Sequence, residues 1–197
     1  MTTTPKTHVR VLILLGSPRK NGNSSGLAQA IQKGAATAGA AVENVYLNGL
    51  HIRPCQACYT CQKPDAKGCR IEDDMQTLYP KLIQADAWVI ASPVYWFTVS
   101  AQTKLFMDRC FALISDHRPS LMAGKKIGVA MSYGDVDCFS SGCVNALRTF
   151  QDAYRYVGAD IVGMVHGSAE NPGDIKADAE LMQAAEQLGR ELVQAAV

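Results

Sequence analysis

The chain has 197 residues, 48% of them hydrophobic, which is enough for one well-buried domain and too few for two. Its 19 Lys and Arg nearly balance 18 Asp and Glu, and a net charge of +1 argues against a protein that binds nucleic acid or a membrane surface. The sequence has no apolar run of transmembrane length, and Met1–His8 lacks the layout of a signal peptide, so we expect a cytoplasmic protein.

Apolar runs and helical periodicity alternate along the chain. The predicted strands span residues 9–15, 41–47, 87–91, 126–131 and 161–165. The predicted helices span 26–38, a segment from 72, 101–114, a segment around 144–157, and 175–196. Alternating βα units indicate a parallel sheet with helices on both faces. The sequence therefore predicts one doubly wound α/β domain over 1–197, with five strands in the flavodoxin-like order 2-1-3-4-5 and a cysteine-rich insertion at about 48–70.

The loop after the first strand has the composition of a phosphate site. Gly16–Ser25 is rich in hydroxyl and amide groups, contains one arginine and leads into a helix N-terminus, where unpaired N–H groups favour an anion. Neither the P-loop spacing nor the G-x-G-x-x-G spacing of a dinucleotide loop is present. A terminal monophosphate fits what remains, and the alternative is an ordinary turn whose serines cap the helix.

Two further loops should meet the first one at the same edge of the sheet. In the order 2-1-3-4-5 the strand order reverses between strands 1 and 3, and ligands bind beyond the carboxyl ends of the strands there. Residues 92–97 offer an apolar and aromatic shelf from Pro93 to Phe97, and residues 132–135 offer backbone groups beside Tyr133. A phosphate at one end and a flat heterocycle at the other describe FMN. The alternative for the aromatic residues is a core or subunit-interface cluster.

These loops carry a resemblance to a known family. The segments Gly16–Ser24, Ala91–Tyr95 with Ser100–Lys104, and Ser132–Asp135 resemble the NADPH-dependent FMN reductase family over about residues 9–170. The iron–sulfur flavoprotein branch of that family also has a cysteine cluster followed by Asp-Asp-Met, as at Asp73–Met75. The resemblance implies an oxidoreductase that forms homodimers or homotetramers with flavin sites near the interface. The FMN contacts that it implies are Ser17, Arg19, Asn23, Ser24, Ser25, Pro93, Val94, Tyr95, Trp96, Ser132, Tyr133 and Gly134.

Four of the seven cysteines lie close together in the insertion, at Cys55, Cys58, Cys61 and Cys69. Cysteines with two residues between them can bind one compact metal centre through their thiolates, as in bacterial ferredoxins. The resemblance implies a [4Fe–4S] cluster on these four cysteines. Zinc and empty thiols that oxidise to disulfides are the alternatives. Cys110 is interpreted as a small core residue, and Cys138 and Cys143 match no ligand spacing.

The leading hypothesis is an FMN-dependent oxidoreductase with a [4Fe–4S] cluster, in which FMN performs the chemistry and no protein side chain acts as a catalyst. A cluster favours a one-electron partner such as a ferredoxin, and its absence favours an NAD(P)H-dependent FMN or quinone reductase. The electron acceptor is then a small molecule or a protein. A flavodoxin-like carrier is a further alternative, although carriers tend to be acidic and this chain is not. A zinc-stabilised binding module would leave the FMN-like loops unexplained.

Overall fold

The computed structural model of the protein describes residues 8–197; Met1–Thr7, part of the segment behind the expectation of no signal peptide, lies outside them. The strands are β1 Arg10–Leu15, β2 Ala41–Tyr46, β3 Ala87–Tyr95, β4 Thr98–Val99, β5 Lys126–Tyr133 and β6 Asp160–Ser168. The α-helices are α1 Asn23–Thr37, α2 Met75–Gln84, α3 Ala101–Arg109, α4 Cys143–Tyr156 and α5 Ala179–Ala195. No helix within residues 8–197 is long and apolar enough to cross a membrane.

Five strands pair in parallel in the order β2-β1-β3-β5-β6, which confirms the predicted order 2-1-3-4-5. The short strand β4 is additional and pairs antiparallel with the end of β3. It was missed because β3 was predicted to end at Ala91, whereas the strand continues through Pro93 and pairs with β5 as far as Ser132. Extending β3 creates a hairpin at the carboxyl edge of the sheet.

Two hydrophobic cores cover the two faces of the sheet, as the continuous apolar strands predict. On one face α2, α3 and α4 pack around Trp88, Phe106 and Phe150. On the other face α1 and α5 pack around Ile31 and Leu188. The predicted doubly wound arrangement is therefore confirmed.

Glycine allows α1 and α5 to touch along their backbones. A Cβ atom at Gly34 would lie 1.8 Å from the carbonyl oxygen of Glu186, and one at Gly189 would lie 2.1 Å from that of Ile31. Neither position can hold a larger residue without separating the helices. This crossing fixes the position of α1, whose first turn carries serines of the predicted phosphate loop.

Three helices begin at other residues than predicted, two of them where an aspartate side chain accepts hydrogen bonds from backbone N–H groups. Helix α2 begins at Met75 because Asp73 and Asp74 accept hydrogen bonds from backbone N–H groups, including His51 N to Asp74 Oδ2 at 2.6 Å. Helix α5 begins at Ala179 because Asp178 accepts from the Leu181 N–H at 2.9 Å and caps it. Helix α1 begins three residues earlier than predicted, at Asn23.

Candidate functional site

A small cleft lies where the strand order reverses between β1 and β3. Its volume is about 130 Å³, and residues of the β3–β4 hairpin line one side of it. The residues that line it come from the loops after β1, β3, β5 and β6: Ser17, Arg19, Gly22, Asn23, Ser24, Pro93, Val94, Tyr95, Ser132, Tyr133, Gly134, Ala169, Glu170 and Pro172.

The first of these loops is tied to its neighbours at Gly16. The Gly16 N–H donates to the carbonyl oxygen of Ala91 at 2.7 Å, and the Ser100 hydroxyl donates to the carbonyl oxygen of Gly16 at 2.6 Å. A Cβ atom at Gly16 would lie 1.9 Å from Oγ1 of Thr103. Glycine is therefore required for the loop to pass this close to α3.

Ser24 in the first turn of α1 has a polar atom without a partner. The residue is 1% exposed, lines the cleft, and its hydroxyl has no hydrogen bond to any described residue. A buried hydroxyl without a partner is costly, so its presence at a ligand cleft points to a missing acceptor or donor. The unpaired N–H groups and dipole of α1 favour an anion at the same point. These groups fit the phosphate of FMN.

The Asn23 side chain hydrogen-bonds the loop after β6. Its Nδ2 donates to the carbonyl oxygens of Ala169 at 3.1 Å and Asn171 at 2.9 Å. Its Oδ1 accepts from the N–H groups of Gly173 at 2.8 Å and Ile175 at 3.4 Å. The Asn23 side chain thus binds the loop after β6 to the phosphate loop, and only its backbone is free to face a ligand.

The hairpin between β3 and β4 turns on two bulky residues. Trp96 and Phe97 have φ angles of +48° and +66°, the conformation of a type I′ turn, which glycine and asparagine normally occupy. Trp96 is nevertheless 91% exposed, and Tyr95 and Phe97 are also exposed. Strained backbone combined with exposed aromatic rings is typical of a functional surface.

The cleft brings together ten of the twelve predicted FMN contacts, and their contact with FMN stays a prediction. Ser25 and Trp96 do not line it: the Ser25 hydroxyl donates to the carbonyl oxygen of Arg19 at 3.4 Å, and Trp96 points into solvent. The prediction missed Ala169, Glu170 and Pro172, which follow β6. Their signal was the turn sequence Asn171-Pro172-Gly173 directly after a strand.

The four clustered cysteines occupy an irregular segment beside α3. Cys55 and Cys58 are exposed, Cys61 is buried and Cys69 is half-buried. Two of the sulfur atoms accept N–H hydrogen bonds, Cys61 from Nε2 of Gln62 at 3.3 Å and Cys69 from Nη2 of Arg109 at 3.4 Å. Such hydrogen bonds stabilise the thiolates of iron–sulfur sites, so the donor set fits a cluster.

Cys58 lies between two residues with left-handed backbone, Ala57 and Tyr59, whose φ angles are +49° and +54°. Hydrogen bonds from the side chain and backbone of Thr60, with a smaller contribution from Arg70, lower the pKa of the Cys58 thiol. An exposed thiol that ionises easily is suited to bind a metal or a cluster.

A buried ion pair anchors this segment. Arg109 and Asp73 are in direct contact, and both side chains are 0% exposed. The two residues also hold Arg53, whose N–H donates to Asp73 Oδ2 at 2.9 Å and whose carbonyl oxygen accepts from Arg109 Nη1 at 2.8 Å. Burial opposes ionisation of Asp73, but the hydrogen bonds from Arg109, Arg53 and Met75 outweigh it and lower the pKa of the carboxyl.

Metal-ligating atoms also gather at a second place. Within residues 8–197, three such atoms lie within 4.8 Å of one another at Cys138, Cys143 and His166. The four clustered cysteines form no group of this kind. Ligands of a tetrahedral zinc ion would lie about 3.8 Å apart, given Zn–S bonds of about 2.3 Å. The ligand atoms of Cys138, Cys143 and His166 therefore come close to the spacing that one tetrahedral ion needs.

A larger cavity of about 440 Å³ lies away from the cleft, next to the cysteine segment. It is mainly apolar and is lined by Cys55, Tyr59, Met107, Phe111 and Tyr156, among others. The residues that line it include no serine, threonine, lysine or arginine, and they include Asp108, whose negative charge would repel a phosphate. The small cleft is therefore the better candidate for FMN.

The sheet order and the anion cradle at its reversal point define a flavodoxin-like α/β domain of the flavin-binding class. The family model of the NADPH-dependent FMN reductases matches residues 9–171, and the chain belongs to that family. The predicted family and its FMN-dependent oxidoreductase character are thereby confirmed.

Known proteins similar to this chain agree with that family. An iron-sulfur flavoprotein of Methanosarcina thermophila is 30% identical over 79% of this chain and 78% of its own length. An iron-sulfur flavoprotein of Archaeoglobus fulgidus is 42% identical over 62% of this chain, and the match spans 54% of that relative. The solved flavodoxin of Megasphaera elsdenii, 17% identical, superposes with a TM-score of 0.58 over 93% of this chain and 98% of its own, which supports the flavodoxin-like fold.

Proposed function

We propose that the protein is an FMN-dependent oxidoreductase that takes electrons from NAD(P)H or a ferredoxin-like protein and passes them to a small-molecule or protein acceptor. FMN and a [4Fe–4S] cluster on Cys55, Cys58, Cys61 and Cys69 are its proposed redox centres. Bound FMN supplies the redox chemistry, and the chain binds and orients it. The observation that carries the proposal is the unpartnered Ser24 hydroxyl at the cleft.

The described residues divide the work of binding FMN between two ends of the cleft. Ser24, Ser17 and the N–H groups of α1 face the phosphate, and Arg19 adds a positive charge there. Tyr95 and Tyr133 lie at the open end, where a planar ring can rest against them. With FMN bound, backbone N–H groups of the loops after β3 and β5 would stabilise negative charge on its ring.

The test of FMN binding compares two buried serines of the same helix turn. Ser24→Ala removes a hydroxyl that has no internal partner, so we expect FMN to bind roughly 10- to 150-fold more weakly, from about 1.5–3 kcal/mol for a hydrogen bond to a charged group. Ser25→Ala is the control, because its hydroxyl already donates to Arg19. Titration of the apoprotein with FMN, followed by quenching of flavin fluorescence, measures both. Equal affinities in both variants and the wild type would contradict the assignment of the cleft.

The cluster is supported by the hydrogen bonds and charge around the cysteine sulfurs and by the names of similar proteins. N–H groups donate to the sulfurs of Cys61 and Cys69, and Arg109 brings a buried positive charge close to Cys69. Two of the relatives are named iron-sulfur flavoproteins. A net negative cluster would be stabilised in such surroundings.

An anaerobic preparation tests the cluster directly. We expect about four irons and four sulfides per chain, with a broad absorption shoulder added to the flavin bands. Cys58→Ser should lose the iron and keep FMN, whereas Cys110→Ala, which changes a buried cysteine outside the segment, should keep both. A flavin spectrum without iron in the wild type would leave an NAD(P)H-dependent FMN or quinone reductase as the function.

Steady-state assays identify which electron donor and which acceptor the protein uses. NADPH oxidation in the presence of quinones or free flavin identifies a reductase, and reduction by a ferredoxin identifies a one-electron partner. Failure of all of these, with FMN bound, would favour a flavodoxin-like carrier.

The exposed aromatic hairpin is proposed to lie in a homodimer or homotetramer interface. Val136 and Phe139, in the loop after β5, are also exposed apolar residues, at 84% and 79%. Clustered exposed apolar residues mark interaction sites, and another copy of this chain could cover them. Light scattering after gel filtration should give a multimer for the wild type and a smaller particle for Trp96→Ala.

A cytoplasmic location remains a prediction, supported by seven cysteines without a disulfide among the described residues.

A further inference from the structure

Two cysteines and a histidine outside the predicted cluster converge beside the FMN cleft. Cys138 lies in the loop after β5, Cys143 is the first residue of α4, and His166 lies on β6. Their ligand atoms are within 4.8 Å of one another. Cys143 is fully buried, and Cys138 and His166 are half-buried.

The sheet register explains why His166 meets the two cysteines. His166 pairs with Met131 on β5, and Met131 belongs to the core that α4 covers. Because side chains alternate between the faces of a strand, His166 points toward the same side as Met131. Its Nδ1 lies 3.4 Å from the hydroxyl of Tyr133, which lines the cleft.

The backbone around the cysteines is held in place without a metal ion. The Val144 N–H donates to the carbonyl oxygen of Cys138 at 3.1 Å, which closes the loop onto α4. Asp137 Oδ1 accepts from the N–H groups of Phe139 at 2.7 Å and Ser140 at 2.8 Å. The geometry of the group is therefore set before any ligand arrives, which lowers the cost of binding one.

We propose that Cys138, Cys143 and His166 bind one Zn²⁺ ion, separately from the four clustered cysteines. Two thiolates and one imidazole are ligands that zinc prefers, and three protein ligands leave a fourth position for water. Both cysteines bind as thiolates, so each releases one proton to solvent and no electrons are transferred. The ion would join the loop after β5 to α4 and β6, directly behind Tyr133 and Gly134 of the cleft.

The test measures zinc on the full chain under reducing conditions. Protein stripped with a chelator is titrated with Zn²⁺ against a colorimetric chelator, and with Co²⁺, whose thiolate charge-transfer band reports cysteine ligation. The ligand variants are Cys138→Ser and His166→Asn. The matched controls are Cys110→Ala and His117→Asn, which change a buried cysteine and an exposed histidine outside the group. Circular dichroism confirms that each variant is folded, and His166→Asn carries the test if Cys138→Ser fails to fold.

We expect the wild type and both controls to bind one zinc ion more per chain than Cys138→Ser or His166→Asn. In Cys138→Ser, the cobalt charge-transfer band should fall by the same fraction as the zinc content. Equal zinc content in wild type and ligand variants would overturn the proposal. So would a Cys138–Cys143 disulfide found by mass spectrometry after alkylation of freshly isolated, unreduced protein. The result is independent of the proposed function, since a chain that binds no FMN and no iron can still show this loss of zinc.

Discussion

The ion pair of Asp73 and Arg109 offers the sharpest test of how the cysteine segment is held. Asp73→Asn keeps the shape of the side chain but removes its charge, and it leaves the fully buried Arg109 without a counterion. Breaking a buried pair from one side costs about 3–5 kcal/mol, because the remaining charge is neither solvated nor paired. For a chain of this size 1 kcal/mol corresponds to about 2–4 °C, so we expect Tm to fall by about 6–20 °C.

The control is Asp108→Asn, one residue from Arg109. Asp108 pairs with Lys104 at 2.6 Å, but both side chains are about half exposed. Exposed pairs at i,i+4 contribute only about 0.3–0.5 kcal/mol, so this variant should melt within about 2 °C of the wild type. Differential scanning calorimetry on the anaerobic and the metal-free proteins measures both variants.

The pH dependence has a defined sign. The pKa of Asp73 is lowered in the folded protein, so the stability it contributes is present above its ordinary unfolded pKa and is lost as the pH falls through the lower folded value. The difference in stability between wild type and Asp73→Asn should therefore shrink below about pH 4. If Asp73→Asn costs no more than Asp108→Asn at neutral pH, the buried pair does not anchor the segment and the reasoning fails.

Three further substitutions test other parts of the fold. Gly16→Ala places a methyl group 1.9 Å from Thr103 Oγ1 and should destabilise the protein by about 1–3 kcal/mol in urea unfolding, whereas Gly134→Ala, which meets nothing within 4 Å, should not. Gly189→Ala should likewise lower Tm by several degrees, since its Cβ would lie 2.1 Å from a backbone oxygen of α1; an unchanged Tm would mean that the helices can separate freely. Trp96→Asn relieves a left-handed φ of +48° and should raise stability by up to about 1 kcal/mol when both proteins are diluted until they are monomeric; a loss of stability of the monomer would contradict the strain argument.

The sequence predicted the sheet order because strand topology follows from alternating apolar runs and from the handedness of βα crossovers. The cleft followed from that order, since the ends of β1, β3 and β5 must meet. The roles of Asn23 and Arg109 could not be read from the sequence, because their partners are set by tertiary packing. Asn23 has an amide side chain of the kind that can bind phosphate, yet this side chain hydrogen-bonds a loop about 150 residues away in the sequence. Cys143 and His166 likewise come together only through the pairing of β5 with β6, and their spacing in the sequence matches no known metal-ligand motif.

The hydrogen bonds between Asn23 and residues 169–175 have a consequence for folding during synthesis on the ribosome. The phosphate loop leaves the ribosome about 150 residues before the loop that completes the cleft, which at about 5–20 residues per second is a delay of roughly 8–30 s. Throughout that interval the nascent chain has the first turn of α1 but lacks one wall of the cleft. We expect FMN to be taken up only after β6 has joined the sheet, so that bound cofactor marks a chain in which all five parallel strands have been made.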